Sequence, residues 1–184
     1  MITFVFGIIG IITGMILTII LTRSLDQTEY GTWGLITSMI GYVIIIEPIV
    51  SYWTTREVAR KNLVGKTAIF SSTIFSCLGI IIYILIAYIL GYNTDANNSV
   101  LIFAVALVPI IFLNRTLMAI NFGWKPHIVS YGLLTYGIFQ IPFSLLFVLH
   151  LDMGVSGIII SNILSMKLIC FVVKKSGDQS SSLA

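Results

Sequence analysis

The dipeptide Glu47-Pro48 lies inside an apolar run and offers the clearest chemistry in the chain. A carboxylate at bilayer depth is costly and needs a partner or a water-filled cavity. Helical spacing puts Glu47, Ser51 and Thr54 on one face. Pro48 has no N–H to donate, so it frees a backbone carbonyl one turn back. Two roles fit such an acid. It is either a cavity group that binds a cation, a proton or a polar substrate, or a structural acid that is neutral or paired with an arginine on a neighbouring helix.

Cationic and polar side chains supply the other candidates. Arg115, within Asn114-Arg115-Thr116, interrupts an apolar stretch near its end. Its guanidinium either snorkels to the lipid headgroups or faces a cavity, where it suits phosphate. Lys167 poses the same choice. Arg23 closes the first apolar stretch, with Asp26 and Glu29 close by as solvated partners. Further on, Tyr131 and Thr135, and Tyr136 and Gln140, stand four residues apart, ahead of a helix-loosening Pro142. These groups either line a route for a sugar or form interhelical hydrogen bonds.

Other chemistries lack their residues. There is no nucleophile elbow, no Gly-rich phosphate loop and no His/Cys/Asp metal set, so neither an enzyme nor a cofactor is expected. His127 and His150 are predicted on opposite sides of the membrane, which rules out a site built on both. Cys77 and Cys170 sit in apolar runs and read as packing residues. A net charge of +3, dispersed along the chain, is no nucleic-acid footprint.

The elements that must position these groups are membrane helices. Of 184 residues, 58% are hydrophobic and 9% charged, against about 25% charged in a soluble domain. A chain this apolar cannot cover a globule with polar surface, so lipid is its solvent. A bilayer core takes about 20 apolar residues per helix. Six stretches qualify: Ile2–Leu21, Thr32–Trp53, Ala68–Leu90, Val100–Ile120, Ile128–Leu149 and Gly154–Val173. The expected fold is all-α, a polytopic six-helix transmembrane bundle over 1–173. A Ser-rich tail, 174–184, is expected to be disordered and cytoplasmic. The first stretch has no basic leader and no small-residue cleavage site, so it reads as a retained span.

Lysine and arginine set the expected direction. Arg56, Arg60, Lys61 and Lys66 follow the second span. Arg115 and Lys125 flank the fourth-to-fifth connection, and Lys167, Lys174 and Lys175 mark the C-terminal end. Only Arg23 falls on the other side. Both termini are therefore expected in the cytoplasm, with Arg56, Arg60 and Lys61 as topology anchors. Asn97-Asn98-Ser99 is then an outside glycosylation sequon. Small residues line two helix faces: Gly7, Gly10 and Gly14 on the first, and Gly154, Gly157, Ser161 and Ser165 on the sixth. Such faces let backbones approach closely.

Several of these residues form a family-like pattern. It comprises Leu21-Thr22-Arg23-Ser24-Leu25, then Glu29-Tyr30-Gly31, the exit Thr55-Arg56-Glu57-Val58-Ala59-Arg60, and Leu151-Asp152-Met153-Gly154-Val155-Ser156-Gly157. It resembles the polysaccharide-biosynthesis, O-antigen-type flippases of the multidrug/oligosaccharidyl-lipid/polysaccharide exporter superfamily. The resemblance implies a transporter, not an enzyme, that moves a prenyl-diphosphate-linked sugar from the cytoplasmic to the outer leaflet of the cell membrane. It implies Arg23 and Arg115 as groups for the diphosphate or an acidic sugar, and Glu47 for cation coupling. Tyr136 and Gln140 join them as candidate cavity residues. Members have two bundles, twelve to fourteen helices in all, whereas six are expected here. The chain then corresponds to an N-terminal half, and its partners are membrane lipid and a second bundle from another chain or a second copy. A cation-coupled drug exporter of the same superfamily and a non-transporting membrane scaffold are the alternative readings.

Overall fold

The computed structural model describes residues 2–62, 64–93 and 98–181, and every described element is helical. The helices are α1 (Ile2–Ser24), α2 (Gln27–Ile44), α3 (Glu47–Ala59), α4 (Gly65–Asn93), α5 (Asn98–Phe103), α6 (Leu107–Trp124), α7 (Pro126–Ser144) and α8 (Gly154–Ser181). A 3-10 turn, Ala104–Ala106, joins α5 to α6, and a π-helical turn, Leu145–His150, extends α7. The Asn97 of the expected sequon lies outside the described residues.

Three helical stretches are long and apolar enough to cross a bilayer: Gly65–Gly91, Asn98–Trp124 and Pro126–His150. A fourth exists if α2 and α3 count as one span bent by 51°. Within α1 and α8 the portions with described side chains, Ile8–Ser24 and Gly154–Cys170, are apolar too. The six predicted stretches are thus helical, the second with a break at Ile45 and Ile46, while among the described residues the spans shown by length and composition number three to four. Pro48 accounts for the step from four to three, because it splits the second stretch, which apolarity alone reads as one helix. The polar residues from Lys174, expected to be disordered, instead continue α8 to Ser181. No proline intervenes there, and extending a formed helix by a residue is easy compared with nucleating one.

The main core joins α2, α4, α6 and α8, with α5 and its 3-10 turn, around Ile36, Met39, Tyr83, Leu107, Phe112 and Ile159. Tyr83 is fully buried and its hydroxyl donates to the Leu101 carbonyl at 3.2 Å, tying α4 to α5. A smaller cluster of Leu21, Leu25, Val148 and Ile158 holds the end of α1 against the π turn and α8.

The two glycine-bearing faces behave differently. On α8, a methyl group at Gly157 would lie 2.8 Å from the Phe147 carbonyl oxygen, so the π turn rides directly on that face. Ser161 on the same face bonds Ser144 at 3.1 Å. At Gly154, φ is +52° and the Glu29 carboxylate fills the side-chain position, so only glycine suits the site. On α1, by contrast, a methyl group added at Gly10 or Gly14 would meet nothing within 4 Å. In the isolated chain, Gly10→Ala and Gly14→Ala are each expected to raise stability by about 0.5–1 kcal/mol, the helix-interior advantage of alanine. Thermal unfolding in detergent micelles measures this. A loss of stability would show that another surface packs on that face.

Candidate functional site: a cavity beside a bent helix

The site begins at the break between α2 and α3. Pro48 occupies the first turn of α3, where its missing N–H costs no helical bond. The backbone tightens around the break: the Ile45 N–H points to the Tyr42 carbonyl at 3.5 Å and the Ile49 N–H to the Ile46 carbonyl at 3.2 Å. The bend carries Glu47 into the first turn of α3, where the positive end of the helix dipole favours an acidic side chain.

Glu47 is buried at 3% exposure, and both of its carboxylate oxygens are engaged. The Ser51 hydroxyl donates to Oε1, and Arg115 Nη1 donates to Oε2 at 3.1 Å. Thr54, one turn further, is buried and bonds back to the Val50 carbonyl at 2.7 Å. The ion pair is asymmetric. The Glu47 side chain is 4% exposed, while that of Arg115 is 49% exposed. The acid is therefore an anchor, and the guanidinium keeps free donors on its open side.

The approach of α3 to α6 makes this pairing possible. The two helices run side by side in the same direction. The Thr55 hydroxyl donates to the Ala119 carbonyl at 3.1 Å, and a methyl at Gly123 would lie 2.7 Å from the Thr55 carbonyl oxygen. On its other side α6 is stitched to α4. Thr116 Oγ1 donates to Ser72 Oγ at 2.7 Å, and Ser72 reaches the Phe112 carbonyl at 3.3 Å.

Arg115 opens onto a cavity of about 600 Å³ between α2, α3, α6, α7 and α8. Most of the wall is apolar, including Ile40, Ile44, Ile45 and Pro48 at the bend, and Ile111 and Met118 on α6. Polar groups come from Thr37, Asn114, Arg115 and Tyr136. The Tyr136 hydroxyl donates to Asn162 Oδ1 at 2.7 Å, and Gln140 Nε2 donates to the same oxygen at 3.0 Å. Asn162 in turn bonds the Ile158 carbonyl at 3.1 Å. A polar knot between α7 and α8 thus backs one wall. It is high-stakes packing, because each member left unpaired at this depth would be costly.

The structure brings Glu47, Arg115 and Tyr136 together and sets Gln140 behind Tyr136. It does not bring Arg23 to them. Arg23 is exposed in the last turn of α1, at the end of the bundle shared by the π turn and the start of α8. No ion pair joins it to Asp26 or Glu29 among the described residues. α1 packs mainly along α7, and its last turn, which carries Arg23, sits against the π turn and α8.

Arg56, Arg60 and Lys61 are exposed around the end of α3. Lys61 terminates that helix with φ at +63°, its N–H bonded to the Val58 carbonyl and the Asn62 N–H to that of Glu57. This is the paired closure of a left-handed helix end, here without its usual glycine. Arg60 and Asn62 both reach Glu57, at 3.3 and 2.7 Å. Lys167 is exposed, as a snorkelling residue would be.

Sequence reasoning missed Asn162, the acceptor that gathers Tyr136 and Gln140. An amide inside an apolar helix is the signal that could have found it. It also passed over Asn114 as a neighbour of Arg115, although its side chain lines the cavity. Comparison of the chain with protein-family models, with curated proteins and with solved structures gave no match.

Proposed function

We propose that this chain is one bundle of a membrane transporter that moves a lipid-linked, anionic oligosaccharide precursor across the cell membrane. In this reading all six apolar stretches span the bilayer, the basic α3–α4 and α6–α7 connections face the cytoplasm with both termini, and a second bundle closes the cavity. The carrying observation is Arg115, half-exposed within an apolar helix, anchored by a buried acid and opening onto a cavity of about 600 Å³. A guanidinium facing lipid tails would be expensive, so its open side calls for water or an anionic ligand. A planar fork of donors suits a diphosphate. Glu47 then works mainly by orienting Arg115.

One observation favours a second reading, export of amphipathic drugs. Nine of the fourteen residues lining the cavity have apolar side chains, which suits an apolar cargo. The two readings separate in cells whose own copy carries Arg115→Gln at normal membrane abundance. Precursor transport predicts at least a tenfold fall in surface glycan with unchanged drug tolerance, the scale set by loss of a charged ligand contact. Unchanged surface glycan in that strain overturns the main reading. Loss of drug tolerance with unchanged glycan supports the second, and no change in either leaves a scaffold role.

A further inference from the structure

Asn114 stands out among the buried polar groups. Its side chain lines the cavity beside Arg115, the residue is 6% exposed, and its Oδ1 has no hydrogen-bond partner. Buried polar atoms are nearly always paired, and leaving one unmade has a real cost. Its neighbours show that pairing was available. Thr116, two residues on, satisfies its hydroxyl against Ser72 and the Phe112 carbonyl, and Asn121 donates to the Leu117 carbonyl at 2.8 Å. Asn162, at the same wall, has its Oδ1 fully used by Tyr136 and Gln140. Asn114 alone among these presents an unused acceptor next to a half-free guanidinium.

We infer that Asn114 is a specificity-determining residue of this site. It accepts a hydrogen bond from a hydroxyl or amide N–H that the ligand carries within a few bonds of the anionic group taken by Arg115. The ligand class is therefore an anionic amphiphile with a donor beside its charge, as opposed to a bare phosphodiester. This rests on the anion-binding reading of Arg115. The pairing is chemically complementary. The guanidinium has only donors and the Asn114 oxygen is an acceptor, so together they read an anion and its adjacent donor. A donor-free analogue would leave the Asn114 oxygen unpaired, and it is this penalty that discriminates.

The inference also makes a prediction about the empty protein. Asn114→Leu removes an unsatisfied polar atom and keeps the shape, so the unliganded variant unfolds no more easily than wild type. A residue kept only for packing would show the opposite.

The test uses a matched pair of soluble short-chain lipids. Dihexanoyl phosphatidylglycerol and dihexanoyl phosphatidylmethanol share acyl chains and a phosphodiester charge, but only the first has hydroxyl donors on its headgroup. Binding to the full chain in detergent micelles is measured by calorimetric titration. Wild type is expected to bind the glycerol lipid about tenfold more tightly, the worth of one good hydrogen bond beside a charge. Asn114→Leu should bind both with the affinity that wild type shows for phosphatidylmethanol. Asn114→Ser, which retains a hydroxyl acceptor, should keep part of the preference. Arg115→Gln should lose both ligands.

The inference fails if phosphatidylmethanol binds in an Arg115-dependent way while wild type shows no preference, or if Asn114→Leu keeps the preference. If neither lipid binds, or if Arg115→Gln binds both unchanged, the anion-site reading itself fails and takes this inference with it. If Asn114→Leu does not fold, the role of Asn114 is structural and the inference is likewise overturned.

Discussion

Replacing Arg115 with methionine is expected to destabilise the protein by about 2 kcal/mol, and replacing Glu47 with glutamine by less than half as much. The asymmetry follows from exposure. Arg115→Met leaves a carboxylate that is 4% exposed without its cation, whereas Glu47→Gln leaves a guanidinium that is already 49% exposed. Removing one partner of a fully buried pair costs about 3–5 kcal/mol, and the open side of Arg115 scales that down. Glutamine at position 47 can still accept from Arg115 through its carbonyl oxygen while its amide N–H donates to the Ser51 hydroxyl oxygen, which softens its loss further. The double variant Glu47→Gln/Arg115→Met should recover most of the stability lost in Arg115→Met, since no uncompensated buried charge remains. Unfolding in mixed micelles measures all three variants. Equal costs for the two single variants, or simple additivity in the double, would remove the anchor role of Glu47.

A single methyl group at Gly123 is expected to cost about 2–3 kcal/mol. The added carbon would lie 2.7 Å from the Thr55 carbonyl oxygen and 2.8 Å from the Val58 Cβ. A backbone oxygen cannot swing aside like the tip of a flexible side chain, so α3 and α6 must separate. That separation would break the Thr55 bond to Ala119 and loosen the pairing of Glu47 with Arg115. Gly79→Ala is the control. Its methyl would meet side-chain atoms of Val43, Val108 and Phe112, at 2.8, 3.3 and 3.4 Å, and no atom of α3. Both variants should lose stability, but only Gly123→Ala should also weaken anion binding. Equal binding in the two would separate helix spacing from the site.

Much of the fold was legible because apolar runs and turn residues punctuate one another. All six apolar stretches are helical, the second with a break at Ile45 and Ile46. What composition could not give was where a helix breaks inside an apolar run. Glu47-Pro48 offered the signal, and the bend makes α2–α3 two helices where periodicity suggested one. Local spacing also anticipated that Glu47, Ser51 and Thr54 share a face, because i, i+4 and i+7 positions follow from helix geometry alone. It could not decide between an acid paired with an arginine and an acid free in a cavity. That choice depends on the packing of α3 against α6, where Thr55 meets Ala119 and Gly123, residues far along the chain from Glu47. Arg23 shows the same limit. Its residue type suits an anion, but which neighbours a helix end meets is a tertiary fact. Tyr136 and Gln140 were recognised as a pair, and their shared partner, Asn162, comes from another helix.

The central claim is that Arg115 makes a water-accessible, cationic cavity within apolar helices. Rates of modification at Thr37→Cys test it most directly. Thr37 lines the cavity and is exposed to it. The experiment replaces the free thiols Cys77 and Cys170 with serine, leaving the introduced thiol as the only one. Small anionic and cationic thiosulfonates of similar size are then compared on the protein in lipid vesicles. The account predicts that both react, that the anionic reagent is favoured, and that Arg115→Gln lowers the anionic-to-cationic rate ratio by about threefold or more, through loss of the local field. Failure of both charged reagents to react, or a ratio unmoved by Arg115→Gln, would contradict it.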